Sequence, residues 1–333
     1  MMKKYVFFFS FFLLTLFSSA FLGGCYKETA PKVSIVTTIF PIYDWLREII
    51  GKDNQNVKLT FLLDSGFDLH NYQPSASDII KIVQSDLFVY IGGASDAWVE
   101  PVLKQKSKNG RRVVNLIESL SDAVVEEAEI EGAEHQHEDD VNDDSDCHCG
   151  EGEEEWDEHL WLSLRLAQRC VDLLAQEIAK LDSANAETYL RNAAAYKQKL
   201  AALDERYSSM VAAAPLKALL VADRFPFRYL VDDYGLSYFA AFSGCSTEAD
   251  ASFATISFLA KKLNELNLPA VLVLEGSKHK VAEAVLRVAQ KKVAILEIDS
   301  LQNKTERDAE VGTSYYNVME KNLEILKQAL GEK

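Results

Sequence analysis

Between Asp122 and Glu158 the chain carries 18 Asp or Glu residues and no Lys or Arg. The same stretch holds His135, His137, Cys147, His148 and Cys149, and His159 follows it directly. Imidazole, thiolate and carboxylate together make a donor set for a divalent transition metal. A stretch this acidic cannot bury itself and reads as a solvated, mobile segment. It is either a metal-gathering loop or a solubilising linker with incidental histidines. Its length exceeds that of an ordinary connection, which points to function or disorder.

Two further segments hold histidine in a more defined setting. His70 lies in the run from Asp64 to Asp78, just after an apolar strand pattern. Gly66 there permits an unusual backbone turn, and Ser75 or Ser77 can cap the helix that follows. Asp68 is available to orient the His70 ring and fix its tautomer. His159 lies in Trp156-Asp157-Glu158-His159-Leu160-Trp161-Leu162, where the acidic run meets a helical pattern. The positive end of that helix would favour the neutral imidazole, the form that binds metal. Without a metal, His70 reads as a surface loop residue and His159 as a polar group beside an aromatic staple.

The elements that must position these groups alternate between strand and helix. Strands are expected at 33–37, 57–62, 87–91 and 112–116, with helices at 40–50, 75–84 and 97–106. After the acidic run come long helical patterns at 160–180 and 184–213. The second of these contains no Gly or Pro and ends before Pro215. Strands follow at 218–222, 237–242, 270–274 and 293–298, with helices near 227–234, 252–264, 280–289 and 315–329. Alternation of this kind implies parallel βα units covered on both faces. The fold class is therefore α/β: two four-stranded lobes joined by one long rigid helix. Ligands of open α/β sheets sit beyond the carboxyl ends of the strands, so the site belongs in the cleft between the lobes. The expected organisation is a first lobe at 33–182 that includes the acidic loop 122–158, a connecting helix at 183–214, and a second lobe at 215–333.

The acidic run carries more negative charge than the whole chain, whose formal net charge is −16. The remainder is close to neutral and offers no basic field for nucleic acid. At the N-terminus Lys3 and Lys4 precede an apolar run from Tyr5 to Leu22, which ends at Leu22-Gly23-Gly24-Cys25. This has the layout of a secretory signal, with an uncleaved anchor as the alternative. A Cys after Leu-Gly-Gly resembles the bacterial lipobox, which implies a signal peptide at 1–24, lipid on Cys25 and a tether at 25–32. The protein would then sit outside the cytoplasm, lipid-anchored to the cell membrane. Cys147 and Cys149 are too close in sequence for an easy disulfide, and Cys170 falls in an apolar helical pattern as a buried small hydrophobe.

The segments Phe40-Pro41 with Trp45, Gly66 to Asp78, Ala97-Trp98, Asp157 to Leu162, Tyr229 with Tyr234-Gly235-Leu236, and Tyr315 to Leu330 occur in order. In this the chain resembles the cluster A-I substrate-binding proteins of bacterial ABC transporters, the zinc and manganese uptake class (solute-binding protein family 9). The resemblance covers nearly the whole mature chain. It implies one divalent metal between two lobes, a permease as partner, a monomer, and His70 and His159 as ligands. It also implies a carboxylate ligand at Asp299, and a His- and acid-rich loop before the second histidine as an accessory metal segment. One departure stands out. The family places a third His, or a Glu in manganese-type members, where this chain has Arg224. A guanidinium cannot ligate. Cys245, in Ser243-Gly244-Cys245-Ser246, is either a ligand facing the cleft or an inert buried thiol. Glu248 and Glu275 are further candidates, and His148 or Cys149 of the loop could also fill the vacancy. Two histidines with a carboxylate or a thiolate suit Zn2+, and a thiolate disfavours Mn2+.

The expected function is capture of a divalent metal, zinc foremost, and its delivery to an ABC permease. An extracytoplasmic zinc enzyme is an alternative, but the chain has no His-Glu-x-x-His motif. A metal-buffering or adhesive surface lipoprotein is a third reading compatible with the same loop and anchor.

Overall fold

The computed structural model describes residues 32–64, 66, 69–107, 110–127, 130–131, 156–246 and 250–332. Cys25, Asp68, Glu248 and the loop residues His135, His137, Cys147, His148 and Cys149 lie outside the described residues. The first sheet is built from β1 (Val33–Thr37), β2 (Val57–Phe61), β3 (Leu87–Tyr90) and β4 (Arg112–Asn115). All its pairings are parallel, in the order β2-β1-β3-β4. Helices α1 (Phe40–Ile50), α2 (Ala76–Gln84), α3 (Val99–Leu103) and α4 (Leu116–Ser119) connect or follow these strands. Then come α5 (Leu164–Leu181) and α6 (Ala186–Ala213). The second sheet comprises β5 (Ala218–Phe225), β6 (Ser237–Ser243), β7 (Ala270–Leu274) and β8 (Ala294–Ile298). It repeats the same parallel order, β6-β5-β7-β8. Its helices are α7 (Arg228–Tyr234), α8 (Phe253–Glu265), α9 (Lys280–Ala289), α10 (Glu306–Glu310) and α11 (Tyr315–Ala329).

The central strands show why the sheets are parallel and double-covered. Every residue of β3 and of β7 is buried, which is what unbroken apolar strands require. Helix α6 spans roughly 42 Å at 1.5 Å per residue. Its buried stripe runs Tyr189, Ala193, Tyr196, Leu200, Leu203, Tyr207 and Met210, with alternating steps of four and three that keep one face on the core. Near its start Asn192 Nδ2 donates to Ile49 O of α1 at 3.0 Å. Near its end Tyr207 Oη donates to Met319 O of α11 at 2.6 Å. One helix thus carries both lobes.

The structure differs from the sequence reading in several places. The helix expected at 97–106 is reduced to Val99–Leu103 and follows a 3-10 turn at Ala94–Asp96. The buried Asp96 carboxylate accepts from both Ile91 N and Gly92 N and tightens the chain there. Strand β5 runs on to Phe225 with a register shift between Val221 and Arg224, so Arg224 sits in the strand, opposite Phe242. Helices α4 and α10 span only four and five residues, too short to leave a periodicity in the sequence.

Candidate metal centre

His70 stands on a single 3-10 turn, Leu69–Asn71, beyond the carboxyl end of β2. Buried Leu69 and Tyr72 on either side anchor the turn, and Ser75 caps α2 just after it in a capping box with Asp78. His159 comes from the segment that re-enters the fold after the acidic run, and it is completely buried. Cys245 follows β6 in the second lobe. One ligand atom from each of His70, His159 and Cys245 lies within 4.8 Å of the other two.

The two imidazoles converge through their Nε2 atoms, 3.3 Å apart. Tetrahedral zinc with Zn–N bonds of about 2.05 Å would hold two such nitrogens roughly 3.3 Å apart. With a Zn–S bond of about 2.3 Å the nitrogen–sulfur edge is roughly 3.6 Å, so the thiol needs to close by little more than 1 Å at most. The other ring nitrogens are occupied by the protein. His159 Nδ1 faces Asp157 Oδ1 at 3.0 Å, and the same oxygen accepts the His159 backbone N–H at 2.9 Å. His70 Nδ1 is 2.7 Å from Ser95 Oγ and 3.7 Å from Glu158 Oε2. Both rings therefore turn Nε2 toward the shared space.

Glu158 is a feature the sequence reading did not single out. It is 1% exposed; its Oε1 accepts Ser95 N at 2.7 Å, and its Oε2 has no hydrogen-bond partner among the described residues. Burial pushes its carboxyl above the usual range, against the lowering effect of the Ser95 hydrogen bonds. Gly93 makes the room, because a Cβ there would lie 2.5 Å from Glu158 Oε1. The only sequence signal was adjacency to His159, since Ser95 approaches from 63 residues away. His159 does not stand at the N-terminus of α5, as its sequence setting suggested. His159 precedes a 3-10 turn of three residues, and α5 starts at Leu164 behind its own cap, Ser163. Asp157, not a helix dipole, fixes the ring.

Cys245 is half-buried, and burial pushes its thiol well above the ordinary range, with Glu158, Glu127 and Asp157 adding to the effect. A thiol in that state binds zinc by exchanging its proton for the metal. Asp299 lies outside the three-residue group: Lys304 Nζ sits 2.5 Å from its Oδ2, and its Oδ1 accepts Leu301 N at 2.9 Å. Glu275 is tied to Ser300, accepting its N–H at 2.8 Å and its hydroxyl at 2.7 Å. Burial and the neighbouring Asp299 raise the Glu275 carboxyl to about 7.

The segment carrying His159 is also fixed to the second lobe. Tyr229 Oη donates to Asp157 O at 2.7 Å. Trp161 Nε1 donates to Ser300 O at 2.9 Å, and Tyr315 Oη donates to Trp161 O at 2.7 Å. The ligand-bearing backbone is thus held from both sides of the cleft.

A family model described as zinc-uptake complex component A, periplasmic (ZnuA) matches residues 35–329. The chain belongs to the ZnuA family. Zinc-binding lipoprotein AdcA of Streptococcus pneumoniae is 32% identical over 318 residues, which is 95% of this chain and 60% of AdcA. This ZnuA-family chain therefore spans about 60% of that relative's length. The high-affinity zinc uptake system protein ZnuA of Bacillus subtilis is 28% identical over 320 residues, 96% of this chain and 94% of the relative. The Zn(II)-bound ZnuA-like domain of Streptococcus pneumoniae AdcA has a TM-score of 0.68 at 27% identity, covering 91% of this chain and 100% of that domain. The two four-stranded lobes with a long helix between them are the architecture of the ZnuA family.

Proposed function

We propose that this protein captures zinc outside the cytoplasm and passes it to an ABC permease, held at the membrane by lipid on Cys25. The metal is cargo, and His70 Nε2, His159 Nε2 and Cys245 Sγ hold it. The observation that carries this reading is the convergence of two imidazole nitrogens at a tetrahedral-edge separation of 3.3 Å, with a thiol beside them. Relatives described as zinc-binding and zinc-uptake proteins support zinc as the cargo, and a thiolate ligand disfavours manganese. Membership in a family described as a zinc-uptake component favours capture over catalysis. Cys245 stands in for the third family ligand, whose position is Arg224 here.

Zinc titration against a competing chelator tests the reading. His70→Ala and His159→Ala should each weaken the tight site about 100-fold or more, one ligand's share of a binding free energy of roughly 10–16 kcal/mol. Wild-type affinity in both variants would sink the assignment.

A further inference from the structure

The acidic run does not leave the fold as a free linker. Val125 N donates to Tyr229 Oη of the second lobe at 3.3 Å, and Val125 O accepts from Asp157 N at 2.9 Å. Glu126 pairs with Trp156 in an antiparallel bridge. Ile130 is buried in the main core, and Glu131 pairs with Lys262 of α8 at 3.4 Å. The described part of this stalk is a strap that crosses to the second lobe and passes the site. Between its anchors stands Glu127, whose Oε1 accepts the Cys245 backbone N–H at 3.3 Å.

His70, His159 and Cys245 leave one position of a tetrahedral zinc unfilled. The family's carboxylate position, Asp299, is held by Lys304 and by Leu301 N. Asp157 and Glu158 face the Nδ1 atoms of the two histidines, away from the shared space, whereas Glu127 lies beside Cys245 on a strap anchored on both sides. We propose that Glu127 supplies the fourth zinc ligand, giving a His2CysGlu site. The proposal rests on His70, His159 and Cys245 being the other three ligands. As zinc enters, a zinc–sulfur bond replaces the Cys245 sulfur–hydrogen bond and the proton leaves to water. The Glu127 carboxylate, already beside the Cys245 backbone, then turns to the metal.

Cobalt(II) and zinc titrations of the whole chain test this with Glu127→Gln, which keeps an acceptor for the Cys245 N–H. Asp299→Asn is the competing variant and Glu126→Gln the neighbouring control. Zinc affinity should fall by more than about 10-fold in Glu127→Gln, since loss of even an outer partner costs about 10–100-fold. The cobalt d–d bands should weaken and shift while the sulfur-to-cobalt charge-transfer band persists. Asp299→Asn and Glu126→Gln should leave both bands unchanged. Unchanged d–d bands in Glu127→Gln overturn the proposal, whatever its affinity. A shift in Asp299→Asn instead of Glu127→Gln also overturns it. Absence of the charge-transfer band in the wild type would mean that the Cys245 ligation has failed, a separate result. Glu127→Ala repeats the test if the amide destabilises the strap in a metal-free melt.

Discussion

Gly244→Ala perturbs the site without removing any ligand. A Cβ at Gly244 would lie 2.9 Å from His159 Cε1, 3.2 Å from His159 Nδ1 and 3.0 Å from Phe225 O. Carbon atoms in contact prefer about 3.5–4.0 Å, so the imidazole must retreat by roughly 0.6 Å or more. It has little room, because Asp157 Oδ1 stands 3.0 Å behind Nδ1 and the Trp161 ring centroid is 5.2 Å away. The backbone carbonyl on the other side cannot rotate out of the way. Overpacking of this kind costs about 1–3 kcal/mol. Part of the cost falls on the metal-free fold, and the larger part on the zinc form, where the ring must also present Nε2 to the metal. At about 1.4 kcal/mol per tenfold, zinc affinity should drop about 5- to 100-fold. A chelator-competition titration reads the affinity, and a metal-free thermal melt shows that the variant is folded. A folded Gly244→Ala protein with wild-type zinc affinity would refute the close fit of this glycine to His159.

Asp157→Ala should lower zinc affinity about 10- to 100-fold, the usual cost of losing the carboxylate that orients a ligating imidazole; an unchanged titration would contradict that role. Removing residues 132–155, with a short linker joining Glu131 to Trp156, should keep the single tight site and abolish weaker zinc equivalents in calorimetry; loss of the tight site would mean that a loop donor completes it. The carboxyl of Asp44, buried and accepting Tyr315 N at 2.7 Å, is raised by burial to about 6, against about 3.9 in an unfolded chain. Folding favours its protonated form, so its stabilisation is complete below about pH 4 and is lost as pH rises through about 6. Asp44→Asn should therefore flatten the stability–pH curve of the metal-free protein over that window in urea unfolding, and an unchanged slope would refute the assignment.

Much of the architecture was legible because strand and helix patterns are local. Apolar runs such as Ala270–Leu274 and the four-and-three stripe of α6 announce themselves within a few turns of chain. His70, His159 and Cys245 were legible as candidates because each follows a strand or the acidic run, and the structure brings them together. What the sequence could not supply was the set of contacts between distant segments. Ser95 and Glu158 are 63 residues apart, yet together they surround the His70 Nδ1. The pairing of Asp299 with Lys304, five residues on, leaves no periodicity to read either. The extension of β5 through Arg224 depends on pairing with β6, which strand propensity alone does not register. The stalk of the acidic run also read as solvated, but Tyr229, Trp156 and Lys262 fix its described residues to the fold.

The central claim is that two imidazoles and the Cys245 thiolate hold one zinc ion. Zinc-edge X-ray absorption on the protein loaded with one equivalent addresses it most directly. The expected shell has one sulfur at about 2.3 Å with nitrogen and oxygen donors at about 2.0–2.1 Å, and the sulfur vanishes in Cys245→Ser. A wild-type shell of nitrogen and oxygen alone would contradict it.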